Sequence, residues 1–314
     1  TNTTRSFLQG SALEAAGKLS LEGQNNSVIH GVSVAVGGSD SAAVNGSIIG
    51  SVIANTTEVL MENTDVTTDG GETSSKNVNL KAEDASEIYA LAGGVSGSGT
   101  AAVAGAATAS TVTNTTRTKV NGGSITGADA LVLEALNTST IKAASAAGSG
   151  SGTGAVSGSA TVSVVNNSVL ADIDGTEVNT TEQVGVAAKD QSKIQSLAGS
   201  ASFSGTAAVG GAVAVNTITN TTQAGIRNAT LGHIGTLQME AVTDSDIQSA
   251  SAAGEGAGTA AVGGSSTTSI IKNTTAAELV NTTAGDSVDS ADSVQVTAKD
   301  ASSIQVLAGN VGLS

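Results

Sequence analysis

The amino-acid sequence predicts an all-β chain wound as a parallel β-helix, or β-solenoid. Three observations lead there. A unit of 53 residues recurs in constant phase, apolar residues within each unit alternate with period two, and the 314 residues contain no proline. Average usage is about 5%, so roughly 15 prolines are missing. Proline has no N–H to give to a ladder, and a chain that excludes it can hydrogen-bond almost throughout.

The phase is set by three residues per unit. An Asn recurs at Asn2, Asn55, Asn114, Asn167, Asn220 and Asn273, and an Ile at Ile29, Ile88, Ile141, Ile194, Ile247 and Ile304. A Val recurs at Val44, Val103, Val156, Val209 and Val262. Ile-to-Val is 15 in every complete copy and Val-to-Asn is 11. The Asn-to-Ile interval is 27 in four copies, 33 in the second and 31 in the sixth. Most of the unit is thus locked in length while one place accepts insertions, as in a stacked ladder with projecting loops. The chain reads as a single array over 1–314, with repeats starting near residues 2, 55, 114, 167, 220 and 273.

Each repeat runs in the same order. Leu or Val comes first at every second position, as in Leu131/Leu133 and Val184/Val186, which is the strand signal. An Asx and a Ser follow, at Asn25 and Ser27 or Asp190 and Ser192, expected to turn the chain at a polar corner. A Gly/Ser-rich connection and a second strand complete the unit. Odd copies carry Glu at the end of the first strand (Glu22, Glu134, Glu240) and even copies carry Asp at the corner, so recurring acids are expected to trace rows along the rod. The halves of a repeat are nearly equal, and a typical solenoid coil is about 20 to 30 residues, so two coils per repeat are favoured. The alternative is one wide, flattened coil per repeat. The many Ala, Gly and Ser at strand positions suit a flattened section, because they let sheets approach closer than the usual ~10 Å.

Composition removes several functions. Acidic residues number 27 against 12 basic, and there is no Trp, one Tyr and two Phe, so a nucleic-acid partner is not expected. No apolar run reaches the ~18 residues of a span, so membrane insertion is not expected. The absence of Cys removes disulfides and thiolate metal sites. Asp172-Ile173-Asp174-Gly175 lacks the further acidic ligands of a calcium loop, and no cofactor is expected. His30 and His233 have no repeat-spaced carboxylate partner, so no catalytic constellation forms and the chain is expected not to be an enzyme.

Two sets of residues remain as candidate sites. Asn2, Asn55, Asn114, Asn220 and Asn273 open Asn-Thr-Thr triplets, which fit both a glycosylation acceptor and an Asn/Thr stacking ladder at solenoid corners. Asn63, Asp65 and Asp69, with Asp286, Asp289 and Asp292, fall in the two inserted stretches and are candidate loop contacts.

The stretch from Ile194-Gln195-Ser196-Leu197-Ala198-Gly199 to Asn216-Thr217-Ile218-Thr219-Asn220-Thr221-Thr222 resembles the repeat region of large bacterial leukotoxin-like surface adhesins, related in architecture to filamentous haemagglutinins. The resemblance recurs once per repeat. It implies export, an extracellular, cell-surface location and a non-enzymatic role as a stalk or filament segment in adhesion or cell contact. The partner is then a host or neighbouring cell surface. Two alternatives stand beside this: a receptor- or glycan-binding module acting through the inserted loops, and a fibre subunit that polymerises with itself end to end. The chain opens in phase and stops ten residues after Ile304, which suits an excerpt of a longer array or such a docking subunit.

Overall fold

A computed structural model of the chain describes residues 1–15, 17–68, 76–232, 234–284 and 291–314. Every element among them is a strand, and the fold is an all-β solenoid. Its strands join one network in which every pairing is parallel. The phase read from the sequence is the ladder register itself. Ile29 pairs with Ile88, then Ile141, Ile194, Ile247 and Ile304. Asn2 pairs with Asn55, then Asn114, Asn167, Asn220 and Asn273.

Ladder partners therefore lie a whole repeat apart. Two coils per repeat would have stacked the two halves of a repeat on one another, and that expectation is corrected. The physical reason is that the halves carry different side chains, so stacking would set an Asn row on an Ile row. They face each other instead. An outgoing arm, such as Asn77–Ser98 or Thr236–Ala257, turns near a Gly-Thr pair (Asp40-Ser41 in the first copy) into a returning arm, such as Gly154–Asp174 or Ala207–Arg227. Side chains of the two arms meet between them. Ser96 Oγ donates to the Ala43 carbonyl at 2.9 Å and Ser202 Oγ to that of Val209 at 2.7 Å, so one hydroxymethyl group spans the gap. Only a seam of Ala, Gly and Ser allows so close an approach.

The interior changes along the arms. Farthest from the Gly-Thr turn, the alternating aliphatics form the main core, with Leu80, Leu131, Leu133, Val184 and Leu237 fully buried. Next comes a polar seam of Asn, Asp, Ser and Thr, then a zipper of Ile88, Ile141, Ile194 and Ile247 against Val112, Val165 and Ile218. Nearest the turn lies the small-residue seam. The expected polar corner is therefore also corrected: Asn25 and Ser27 sit inside one continuous strand and point inward. Ser27 Oγ accepts from Asn2 and Asn55 of the opposite arms and Asn25 Nδ2 donates to Asp84 of the next outgoing arm, which leaves no reason to turn.

The real corner sits elsewhere. Gly10, Asn63, Gly122, Gly175, Asn228 and Asn281 occupy it in successive copies, each with φ between 46° and 66°. Only Gly and Asn visit this left-handed region readily. The residue after it is often Ser or Thr, and Ser11, Thr64, Thr176 and Thr282 each donate to a carbonyl two residues back. The extra residues of the second and sixth copies fall beyond this corner, between Thr68 and Asn77 and between Ala284 and Ser293.

Stacking like on like brings charges together as well. The charged ladder pairs among the described residues are Arg5–Glu58, Glu58–Arg117, Glu22–Lys81, Lys81–Glu134, Lys119–Asp172, Asp174–Arg227 and Lys193–Asp246. All are opposite in sign. A Glu row along odd copies is thus interleaved with Lys81 or a neutral residue. Like charges at ~4.8 Å would repel, and the two-repeat alternation avoids them.

Size complementation governs the small-residue seam. Asn45 fills the space over Gly37, and Glu255 that over Gly210 and Gly263, where an added Cβ would collide with its carboxylate. Ser96, Ser149 and Ser202 hold the Glu255 position in earlier copies. Glu255 is 2% exposed, and neither carboxylate oxygen has a hydrogen-bond partner among the described residues. Burial pushes its carboxyl up. Glu255→Ser is therefore expected to raise stability at neutral pH by about 1 kcal/mol or more, because an unpaired buried carboxylate is costly. A urea midpoint that falls instead would show that the carboxylate is needed there.

Candidate functional site

Two arrangements carry chemistry: a groove on the outer surface of the outgoing arms and the polar seam inside. The groove encloses about 680 Å³ and runs along the rod across the outgoing arms. Strand alternation builds it, since the residue after each ladder Ile points outward. That row is His30, Tyr89, Lys142, Gln195, Gln248 and Gln305. The His30 and Tyr89 rings stack with centroids 4.8 Å apart, and the Lys142 ammonium lies 4.7 Å from the Tyr89 centroid. Lys142 Nζ donates to Tyr89 Oη at 3.1 Å, and this bond, with the nearby Glu87 carboxylate, raises the Lys142 pKa. Gln195 Nε2 donates to Gln248 Oε1 at 2.9 Å, so the amides form a ladder of their own.

The facing wall alternates. Leu91, Leu197 and Leu307 protrude, about half exposed or more, with Ala144 and Ala250 between them. Such a strip offers an apolar ridge, amide donors and acceptors, one cation and one aromatic stack. It supplies contacts for an extended ligand.

The polar seam is built by three rows. Asn114, Asn167 and Asn220 project from the returning arms, and Ser86, Ser139 and Ser192 with Asp84, Asn137 and Asp190 project from the outgoing arms. All nine are nearly fully buried. Asn114 and Asn167 Nδ2 each bridge two outgoing arms, as Asn167 does to Ser139 at 3.0 Å and Ser192 at 3.1 Å, whereas Asn220 Nδ2 bonds Asp190 and Ser192 of one arm. Each of Asn167 and Asn220 also accepts, through Oδ1, the backbone N–H of the preceding Asn, at 3.2 and 3.1 Å.

Asp190 accepts from four donors: Ser192 at 2.7 Å, Asn137 at 2.7 Å, Asn167 at 3.2 Å and Asn220 at 2.6 Å. Burial pushes its carboxyl up to about 6, against the opposing pull of the Ser192, Asn137 and Asn167 bonds. Along the row, Asn25 donates to Asp84 at 2.8 Å as Asn137 does to Asp190. The Asn137 amide therefore separates the Asp84 and Asp190 carboxylates, and Thr243 takes that place between Asp190 and Asp300, which gives the alternation a physical basis.

The structure places the candidate residues as follows. The Asn55, Asn114 and Asn220 side chains lie in the seam, at most 3% exposed, with no room for a glycan on Nδ2. Asn2 and Asn273 occupy the same row in the end copies and donate to Ser27 and to Ser245 and Ser302. Asn63 is a left-handed corner residue. Asp65 accepts from Ser124 Oγ at 2.8 Å, and the Asp292 N–H donates to the Gly235 carbonyl at 2.8 Å. Asp69, Asp286, Asp289 and His233 lie outside the described residues. Asp172 and Asp174 face cations: Lys119 is 3.7 and 3.5 Å away, and Arg227 bonds Asp172 directly. Burial raises the Asp172 pKa despite Arg227 and Lys119, whereas the Asn228 hydrogen bond lowers that of Asp174. Sequence reading missed the groove, although its row is visible as the residue after each ladder Ile.

Compared with known proteins, the chain matches no family model, no curated protein and no solved structure.

Two outcomes follow from the seam. Asn137→Asp would stack three carboxylates, at 84, 137 and 190, in the buried row, and is expected to cost roughly 3 kcal/mol or more, read as a lower urea midpoint. Asp190 sets a pH dependence. Its folded pKa, about 6, lies above the ordinary carboxylate value of 3.8, so its contribution is fully present below about pH 4 and lost as pH rises through 6. Asp172 and Glu255, both raised by burial, act in the same direction. Urea midpoints from pH 4 to 7 are expected to fall in the parent chain and to fall less in Asp190→Asn. An equal slope in both would exclude this role for Asp190.

Proposed function

We propose that the chain is a non-enzymatic structural segment, a stalk or filament section of an extracellular bacterial adhesin displayed at the cell surface. On this reading it is an array of about six repeats, each one wide, flattened coil. With ladder rows ~4.8 Å apart, five steps from the first row to the sixth span about 24 Å. The observation that carries the reading is the unbroken register from Asn2 to Asn273 and from Ile29 to Ile304. Cohesion is spread over every row, which suits a load-bearing spacer. The resemblance to adhesin repeat regions points the same way.

The groove supports a second reading, a receptor- or glycan-binding module. Its stacked His30 and Tyr89, the Lys142 cation and the amide ladder give that reading a place on the rod wall rather than in the inserted loops.

Immunogold labelling of cells that make the protein is expected to place it outside the envelope; label confined to the cell interior would overturn the reading. Retention on a glycan array is expected to be negligible for the 314-residue chain. Saturable retention that Tyr89→Ala abolishes would transfer the assignment to the binding module.

A further inference from the structure

We propose that the outer face of the returning arms is a self-association surface that pairs two copies of this chain side by side, with their rod axes parallel. The face comprises 42–52, 101–111, 154–164, 207–217 and 260–270, and none of these residues is charged. Elsewhere the chain carries a net charge of -15, so two copies repel through most orientations. This face lets them approach without setting acid against acid.

Its relief is self-complementary. Val44, Val103, Val156, Val209 and Val262 form a ridge along the rod, each between 39% and 77% exposed. Two residues further on, Gly46, Gly105, Gly158, Gly211 and Gly264 form a groove parallel to the ridge. The flanking rows repeat the contrast in two copies. Ala42, Ala101, Gly154, Ala207 and Ala260 are small, and in the facing row Ile48 and Val213 are large and exposed while Ala107, Ala160 and Ser266 are small.

A twofold axis along the rod, midway between ridge and groove, sets each ridge in the partner's groove in both directions. It also sets the Ala207 row opposite the Val213 row. A twofold axis along the strands would stack ridge on ridge, so the relief selects the parallel pair. The shared strip is seven residues wide and five rows high, ~23 Å by ~24 Å, so about 1,100 Å² is covered in total, above the ~1,000 Å² that a specific interface requires. The occupant is a second copy because the ridge and groove match each other in spacing, row by row.

Sedimentation velocity of the 314-residue chain is expected to show a monomer–dimer equilibrium. Val209→Lys places a cation on the ridge of each partner, and dimer affinity is expected to fall at least tenfold. The circular dichroism spectrum and urea midpoint should be unchanged, since Val209 is 45% exposed. The chain has no Cys, so an introduced thiol is unique. When Ala207→Cys and Val213→Cys copies are mixed with a short bis-maleimide, cross-linked heterodimers are expected to exceed both homodimers. A monomer at every concentration, a dimer indifferent to Val209→Lys, or dominant homodimer cross-links would overturn the proposal. A series of larger oligomers that persists in Val209→Lys would mark end-to-end stacking and overturn it equally.

Discussion

The rest of the structure depends on the backbone hydrogen bond between a residue and its equivalent one repeat away. A parallel ladder held in register across every copy permits no slip, because a one-residue shift would turn each inward side chain outward. The constant phase, the missing proline and the confinement of insertions to one corner all follow from that bond. Insertions survive only beyond the left-handed residue at Gly10, Asn63 and their equivalents, where a short strand such as Ala12–Ala15 or Thr230–Leu231 follows and its loss of pairing is local. Aromatic bulk is unnecessary, since each row buries the row above it and the ladder supplies cohesion that a globular core would draw from large side chains.

Stacking equivalents also creates a hazard. Any charge placed in one copy meets its own kind in the next unless the sequence alternates. The pairs along the ladder meet it in two ways. On the outer side of the strands, the largely covered Glu58 sits between Arg5 and Arg117, and the more exposed Lys81 between Glu22 and Glu134. Among the described residues of the buried seam no cation is present, and Asn137 does the separating between Asp84 and Asp190, donating to Asp190 as Asn25 donates to Asp84. Divergence between odd and even copies is thus a condition of closing the ladder, not a decoration on it.

Much of this was legible in the sequence because a parallel ladder writes its register as spacing. The Ile and Asn rows, the alternating aliphatics that form the main core and the place of the insertions were all readable. The winding was not, because equal half-repeats suit two coils as well as two facing arms. What separates them is which side chains meet across the interior, and that is a non-local fact. The Asx and Ser residues misled for the same reason: Asn25 and Ser27 have the local chemistry of a turn, but bond to Asn2 and Asp84 rather than to their own backbone. The true corner was written in plain phase, as Gly or Asn at 10, 63, 122, 175, 228 and 281, and was hidden by the abundance of both residues. The groove row was equally in phase, yet its residues differ in every early copy, so no repeated letter marked it.

The charges are not spread evenly over the rod. From the groove row to the Gly-Thr turn and back along the returning arm, the exposed residues of the middle copies are Val, Leu, Ala, Gly, Ser and Thr, with Phe203 among them. Acids and bases gather on the half that encloses the aliphatic core, where the Arg227, Lys119 and Asp172 cluster sits. The two halves answer different needs. The aliphatic half is thick and must be wetted to keep the rod soluble, and its alternating charges do that at no cost to the ladder. The small-residue half is thin because its seam is built mainly of Ala, Gly, Ser and Thr, and the larger Asn45 and Glu255 lie over glycines, so it has little interior of its own. A thin sheet pair with apolar faces on both sides gains most by being covered. Stability and association are therefore linked in this chain: the residues that make the seam narrow also leave the outer faces as its largest unused apolar area.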